Sequence, residues 1–153
     1  MKDVKALKKI LFCTDFSASA DQAFGYACAI ARAGGSRIVV THVVSGGFDD
    51  PEYTSFVTPE LRTRIDEGIR GKVDQALKER YTAQCPADTP CEILILKGKA
   101  PEQILDVAGR EKIDLIVMGS RGQTAIGHLF MGSVAQRVAQ NSSVPVLLVP
   151  AAS

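Results

Sequence analysis

The feature that most constrains this chain is a rhythm of short apolar runs. Segments at 10–13, 37–44, 92–96, 114–118 and 144–149 are apolar and rich in β-branched residues. They alternate with four stretches whose apolar residues recur at helical spacing. Strands that read as near-continuous apolar runs are covered on both faces. A strand–helix–strand succession joins parallel neighbours through right-handed crossovers. The expected fold is therefore α/β: a single doubly wound domain over residues 1–153, with a five-stranded parallel sheet and four helices. No internal repeat, low-complexity tract or linker divides it, and 153 residues suit one hydrophobic core.

The helical stretches carry their own punctuation. The first is entered through Ser19, with Gln22 three residues on in the spacing of a capping box. Its apolar face is Ala20, Ala23, Phe24, Ala27, Ile30 and Ala31, and Gly34-Gly35 stops it. The second, over 59–84, has Leu61, Ile65, Ile69, Val73, Leu77 and Tyr81 every four residues, with Gly68 and Gly71 as weak points. Pro101 suits the first turn of the third. Gly132-Ser133 opens the fourth, with Val134, Ala135, Val138 and Ala139 expected to turn inward.

Charge excludes several partner classes. A formal net charge of +1 with no basic stripe argues against nucleic acid. Lys2, Lys5, Lys8 and Lys9 read as a solvated lead-in to the first strand. No apolar run approaches the ~20 residues that span a bilayer, so no membrane association is expected. The N-terminal residues are too polar for the apolar core of an export signal, which predicts a cytoplasmic protein with its four cysteines reduced. Cys13 and Cys28 sit among apolar neighbours and read as buried. Cys85 and Cys91 lie six apart in a loop with Pro86 and Pro90, lack the C-x-x-C pattern, and are expected as thiols, with a regulatory disulfide between them as the alternative.

In a doubly wound sheet, ligands bind beyond the carboxyl ends of the strands, where the strand order reverses. Two strands end unusually. The first ends in Thr14-Asp15; the fourth ends in Met118-Gly119-Ser120-Arg121-Gly122, and its loop closes at Gly132-Ser133-Val134. Gly119 and Gly122 can free the backbone so that successive N–H groups face one concavity, and Gly132 allows close approach. Ser133 can cap the last helix or donate to a phosphate at the helix N-terminus. By spacing alone, a phosphate cradle and a set of plain turns with a cap stand equally open. Other nucleotide folds fit less well. There is no G-x-x-x-x-G-K-[ST], no G-x-G-x-x-G after the first strand, and no aspartate ending the third, as a phospho-receiver requires.

The combined pattern Gly119-x2-Gly122-x9-Gly132-Ser133 resembles the nucleotide loop of the universal stress protein family, in its ATP-binding branch. The likeness extends to the opening strand with its aspartate, to Thr41-His42-Val43, to 100–104, to the DLIVMGSRG run at 114–122 and to the final strand. The resemblance implies strand order 3-2-1-4-5, with Asp15 facing Gly119 across the crevice. It also implies ATP, ADP or AMP as ligand, with or without Mg²⁺. Thr14 and Asp15 would lie by ribose and adenine, and the Val43 backbone at the adenine edge. Gly119, Gly122, Gly132 and Ser133 would hold the phosphates, with Met118, Arg121 and Val134 in the same nucleotide site. Arg121 is otherwise a solvent-facing residue, His42 a satisfied core residue, and His128 part of a mobile loop. The resemblance further implies a homodimer through the last strand, at Val146 and Leu148. The expected role is a nucleotide-dependent stress-response or signalling module with at most slow hydrolysis. The alternatives are a weak ATPase or phosphotransferase, or a nucleotide-free dimerisation module.

Overall fold

The structure is a computed structural model, described here for residues 5–46, 55–122 and 130–152. Five strands, β1 (Lys9–Cys13), β2 (Arg37–Val44), β3 (Cys91–Lys97), β4 (Leu115–Gly119) and β5 (Val146–Val149), form one parallel sheet in the order β3-β2-β1-β4-β5. Four α-helices lie among the described residues: α1 (Ala18–Gly34), α2 (Pro59–Arg80), α3 (Ala100–Arg110) and α4 (Ser133–Asn141). The fold class and strand order are those expected.

Alternation along β1 divides the core into two layers. Ile10 and Phe12 point to the α1/α2 side, where they meet Phe24, Ala27, Leu77 and Tyr81. Leu11 and Cys13 point to the α3/α4 side, against Ile104, Val107, Ala135 and Val138. Both faces of the central strands are thus dry, which is why β1 tolerates no polar residue between Ile10 and Cys13. Phe12, Phe24 and Tyr81 form a triangle of rings with centroids 5.1 Å apart on each side.

Several boundaries differ from expectation for identifiable reasons. The cap of α1 is Ser17, whose hydroxyl accepts from the Ala20 amide at 3.2 Å. Ser19 lies inside the helix and is buried, donating instead to the Val149 carbonyl at 2.7 Å, so the Ser19–Gln22 capping box does not form. The second helix stops at Arg80, because Tyr81 leaves helical geometry before a 3₁₀ turn at Thr82–Gln84. Asp114 is not part of β4: its carboxylate accepts the Lys8 and Lys9 amides and pairs with the Lys5 ammonium. Lys5, Lys8 and Lys9 of the lysine lead-in are therefore tied down, with Lys9 also bridged to Glu111. β5 begins only at Val146, since Pro145 offers its carbonyl to Ile116 but has no amide to donate.

Cys85 and Cys91 are joined as a disulfide, contrary to the expected thiols. The 3₁₀ turn and the Pro86–Pro90 loop double back so that the two Cα atoms lie 6.6 Å apart, within bonding range. Cys13 is buried as expected, whereas Cys28 is only half-buried.

Candidate functional site

β1 pairs with β2 on one side and β4 on the other. From their carboxyl ends the chain leaves in opposite directions, through α1 to one face and toward α4 on the other. The gap left between the departing segments is a cavity of about 690 Å³. All ten residues singled out from the sequence line it. Thr14 and Asp15 enter from the end of β1, Val43 from β2, and Met118 and Gly119 from β4. Arg121 and Gly122 follow β4, and Gly132, Ser133 and Val134 come from the start of α4.

The wall at β1 is a tightly bonded turn. The Thr14 amide donates to the Thr41 carbonyl at 2.9 Å, extending the sheet by one rung. The Asp15 carboxylate accepts the Ser17 amide at 3.0 Å, an Asx turn leading into α1. Between them Phe16 adopts φ 63°, a left-handed conformation rare for an aromatic residue. His42 is half-buried at the cavity wall rather than in the core, and its Nδ1 lies 2.8 Å from the Thr14 carbonyl. Because a carbonyl only accepts, Nδ1 carries a proton. Cys13 also lines the wall, but burial pushes its thiol up to about 12, so it is protonated and unreactive.

The glycines act through close approach rather than unusual dihedrals. None of Gly119, Gly122 and Gly132 has positive φ; among the described glycines only Gly35 and Gly98 do. A Cβ on Gly119 would stand 2.9 Å from the backbone of Ser19 and of Ala20, so this glycine seats β4 against the start of α1. A Cβ on Gly122 would lie 3.0 Å from Oδ2 of Asp15, and one on Gly132 would lie 3.3 Å from the Gly122 amide nitrogen. The Asp15 carboxylate thus closely approaches Gly122, and both Asp15 and Gly119 line the cavity. The Gly132 amide donates to the Ser120 carbonyl at 2.8 Å and zips the two ends of the loop together.

At α4, Gly132 occupies the N-cap position and Ser133 is the first helical residue, so Ser133 does not cap. The first helical bond runs from the Gln136 amide to the Gly132 carbonyl. The amides of Ser133, Val134 and Ala135 therefore precede the helical ladder, and all three residues line the cavity. Such a helix start favours anions. Arg121 is among the residues that line the cavity. His128 lies outside the described residues, as do most of loop 123–131 and residues 47–54 of the connection after β2.

The sequence reading missed the apolar wall. Ile69 and Val73 of α2, Ala100 and Ile104 of α3, and Phe130 and Met131 before α4 complete it. Phe130 and Met131 are 74% and 49% exposed, so they form its rim. The every-fourth-residue stripe on α2 did contain Ile69 and Val73, but periodicity does not distinguish a core face from a cavity wall. Among the described residues, Asp15 is the one carboxylate lining the cavity, and no group of three or more potential metal-ligating side chains occurs. No helix among them is long and apolar enough to cross a membrane.

Residues 6–150 match the model of the universal stress protein family. A universal stress protein of Thermus aquaticus is 38% identical over 143 residues, covering 93% of this chain and 98% of that protein. A solved Methanocaldococcus jannaschii structure superposes with a TM-score of 0.75 at 28% identity, over 97% of this chain and 99% of that one. Two more distant family structures share the fold. One was solved with cAMP (TM-score 0.61, 24% identity, covering 97% of this chain and 100% of that one). The other, from Archaeoglobus fulgidus, was solved with dAMP (TM-score 0.56, 22% identity, 95% and 99%). With its fold, its strand order and nearly its whole length in agreement, the chain belongs to the universal stress protein family.

Proposed function

We propose that this protein binds an adenine nucleotide, ATP, ADP or AMP, in the cavity between β1 and β4, and acts as a nucleotide-dependent stress-response or signalling module of the family's ATP-binding branch. The observation that carries this reading is convergence. Groups from four separate segments meet at one cavity, which combines an anion-favouring helix start, a carboxylate and apolar walls. The cavity volume lies within the range of small-molecule sites. Relatives solved with cAMP and dAMP support an adenine nucleotide as the ligand class.

In this reading the amides at the start of α4 and the Ser133 hydroxyl hold phosphate oxygens, with Arg121 alongside. Asp15 accepts from ribose hydroxyls, and the backbone at Val43 meets the adenine edge. A Mg²⁺ would arrive on the phosphates. Fast phosphoryl transfer needs a base for the attacking water. Asp15 already accepts a backbone amide and has the ribose to serve, so hydrolysis is at most slow.

The same reading includes a cytoplasmic location and a homodimer through β5. β5 bonds only to β4 within the sheet, and Val146 and Leu148 are half-buried on an otherwise open edge.

The test is calorimetric titration of ATP with Mg²⁺ into nucleotide-stripped protein, beside Gly122→Val, whose side chain would collide with the Asp15 carboxylate. Binding by the wild type that the variant loses supports the assignment. A folded wild type that binds no adenine nucleotide refutes it. Light scattering at micromolar concentration tests the dimer, and a monomer there refutes it.

A further inference from the structure

Phe16 is a strained residue beside the Asp15 carboxylate, and something has to hold it. The holding structure comes from the end of α2, more than sixty residues away in sequence. Thr14 Oγ1 lies 2.7 Å from the Tyr81 hydroxyl, and that hydroxyl lies 2.8 Å from Oδ1 of Asp21. The Phe16 amide donates to Thr14 Oγ1 at 2.9 Å. Arg80 grips both carboxylate oxygens of Asp21.

Proton counting fixes the direction of the chain. An ionised carboxylate only accepts, so the Tyr81 proton goes to Asp21. Tyr81 has no second proton, so the Thr14 hydroxyl donates to the Tyr81 oxygen and accepts from Phe16. Asp21 is the sink: burial pushes its carboxyl up, but the Arg80 and Tyr81 hydrogen bonds outweigh that and hold it below the ordinary range. Burial, reinforced by donation to Asp21, keeps the Tyr81 phenol protonated. The Phe16 ring is gripped by the same elements. Its centroid lies 6.2 Å from that of Tyr81 and 4.9 Å from that of His42, and the Arg80 guanidinium stands 5.9 Å over it.

We propose that Tyr81, backed by Asp21 and Arg80, is a positioning residue of the nucleotide site. Through the Thr14 hydroxyl it holds Phe16 in the left-handed conformation that sets the Asp15 carboxylate against Gly122. The proposal rests on the nucleotide reading above for its effect on affinity, but the hold on the turn is a property of the unliganded protein. A strained conformation persists only where its surroundings over-determine it. Here those surroundings come from Arg80 and Tyr81 at the end of α2, with Asp21 of α1 and His42 of β2, and Ile69 and Val73 of α2 also line the cavity. The contacts therefore link the end of α2 to the Asp15 turn.

The test is Tyr81→Phe, which keeps the ring between Phe12 and Phe24 and removes only the hydroxyl. Arg80→Gln, a change at the surface, serves as the second variant. Titration with ATP and Mg²⁺ should show binding weakened about fivefold in Tyr81→Phe, the effect of one net hydrogen bond, and weakened in the same direction in Arg80→Gln. In an Asp15→Ala background, adding Tyr81→Phe should change affinity by less than about twofold, since the residue through which Tyr81 acts is gone. An equal loss in both backgrounds would indicate a general structural role and overturn the proposal, as would no loss in either. The nucleotide-free protein gives an independent reading by nuclear magnetic resonance. A strong amide-to-Hα cross-peak within residue 16 marks positive φ; it should be present in the wild type and diminished in Tyr81→Phe. If the wild type binds no nucleotide, the functional reading fails, but that cross-peak still decides the hold on the turn. Its persistence in Tyr81→Phe overturns the proposal.

Discussion

Gly119→Ala separates two meanings of a glycine in a nucleotide loop. If Gly119 serves a ligand, adding a methyl group should lower affinity and leave the fold alone. The structure assigns it to packing. The new Cβ would stand 2.5 Å from Ser19 Oγ and 2.9 Å from the backbone atoms Ala20 N and Ser19 C. Real Cβ atoms do not approach backbone that closely, so β4 and the first turn of α1 must separate. Overpacking of this kind costs about 1–3 kcal/mol. The displaced Ser19 hydroxyl is buried and would lose its bond to the Val149 carbonyl, adding about 1 kcal/mol or more. Reduced freedom of the unfolded chain returns less than about 1 kcal/mol. The net expectation is a loss of about 3 kcal/mol, or a fall in Tm of roughly 6–12 °C for a domain this size. Urea unfolding in the absence of nucleotide measures it, through a lower midpoint at unchanged slope. Gly71→Ala is the control: it lies in α2 with nothing within 4 Å of the added atom, and should gain up to about 1 kcal/mol. If Gly119→Ala unfolds within about 0.5 kcal/mol of the wild type, the packing argument is wrong.

Two further expectations concern the opposite end of the sheet. Asp114 has its pKa lowered first by its bond to Lys5, with the Lys8 and Lys9 amides helping against burial. A depressed carboxylate contributes stability that is fully present above the unfolded value of about 3.9 and is lost as pH falls through the lower folded value. Urea midpoints across that acid range should therefore fall less steeply in Asp114→Asn than in the wild type, and parallel curves would refute this. Reduction of Cys85–Cys91 opens a short loop and should cost about 2 kcal/mol by the loop-entropy relation. A Cys85→Ser/Cys91→Ser protein should already have that lower stability and show no response to dithiothreitol; a wild type equally indifferent to reductant would contradict it.

Much of the molecule was legible because the signals are local and repeated. Five apolar runs separated by helical periodicity leave few arrangements other than a parallel sheet covered on both sides, and β2 coincides with the run read at 37–44. The residues lining the candidate site were legible for a related reason. Ligand-facing positions in this architecture lie at strand ends, so Thr14-Asp15 and Met118-Gly119 announced themselves by where they stop. Signals at single residues failed where two local readings were chemically equivalent. Ser17 and Ser19 are both serines ahead of an alanine-rich helix, and only the approach of Val149 turns Ser19 inward while Ser17 caps. Ser133 suits an N-cap by type, yet Gly132 takes that position because the loop must pass close to the Gly122 backbone there.

By itself, then, the sequence determined the elements, their order and the strand ends where a site could form, since these follow from the periodicity of side chains along one stretch of chain. What the tertiary structure decided is everything that depends on residues distant in sequence meeting. It joined Cys85 to Cys91 across a reversed loop, brought Asp114 under the lysine lead-in, and turned the α2 stripe into a cavity wall at Ile69 and Val73. It also carried Tyr81 to Thr14. No periodicity encodes such meetings: hydrophobic patterning states which face of a segment is dry, while contact between two dry faces is set by crossover geometry and by the space that neighbouring side chains leave.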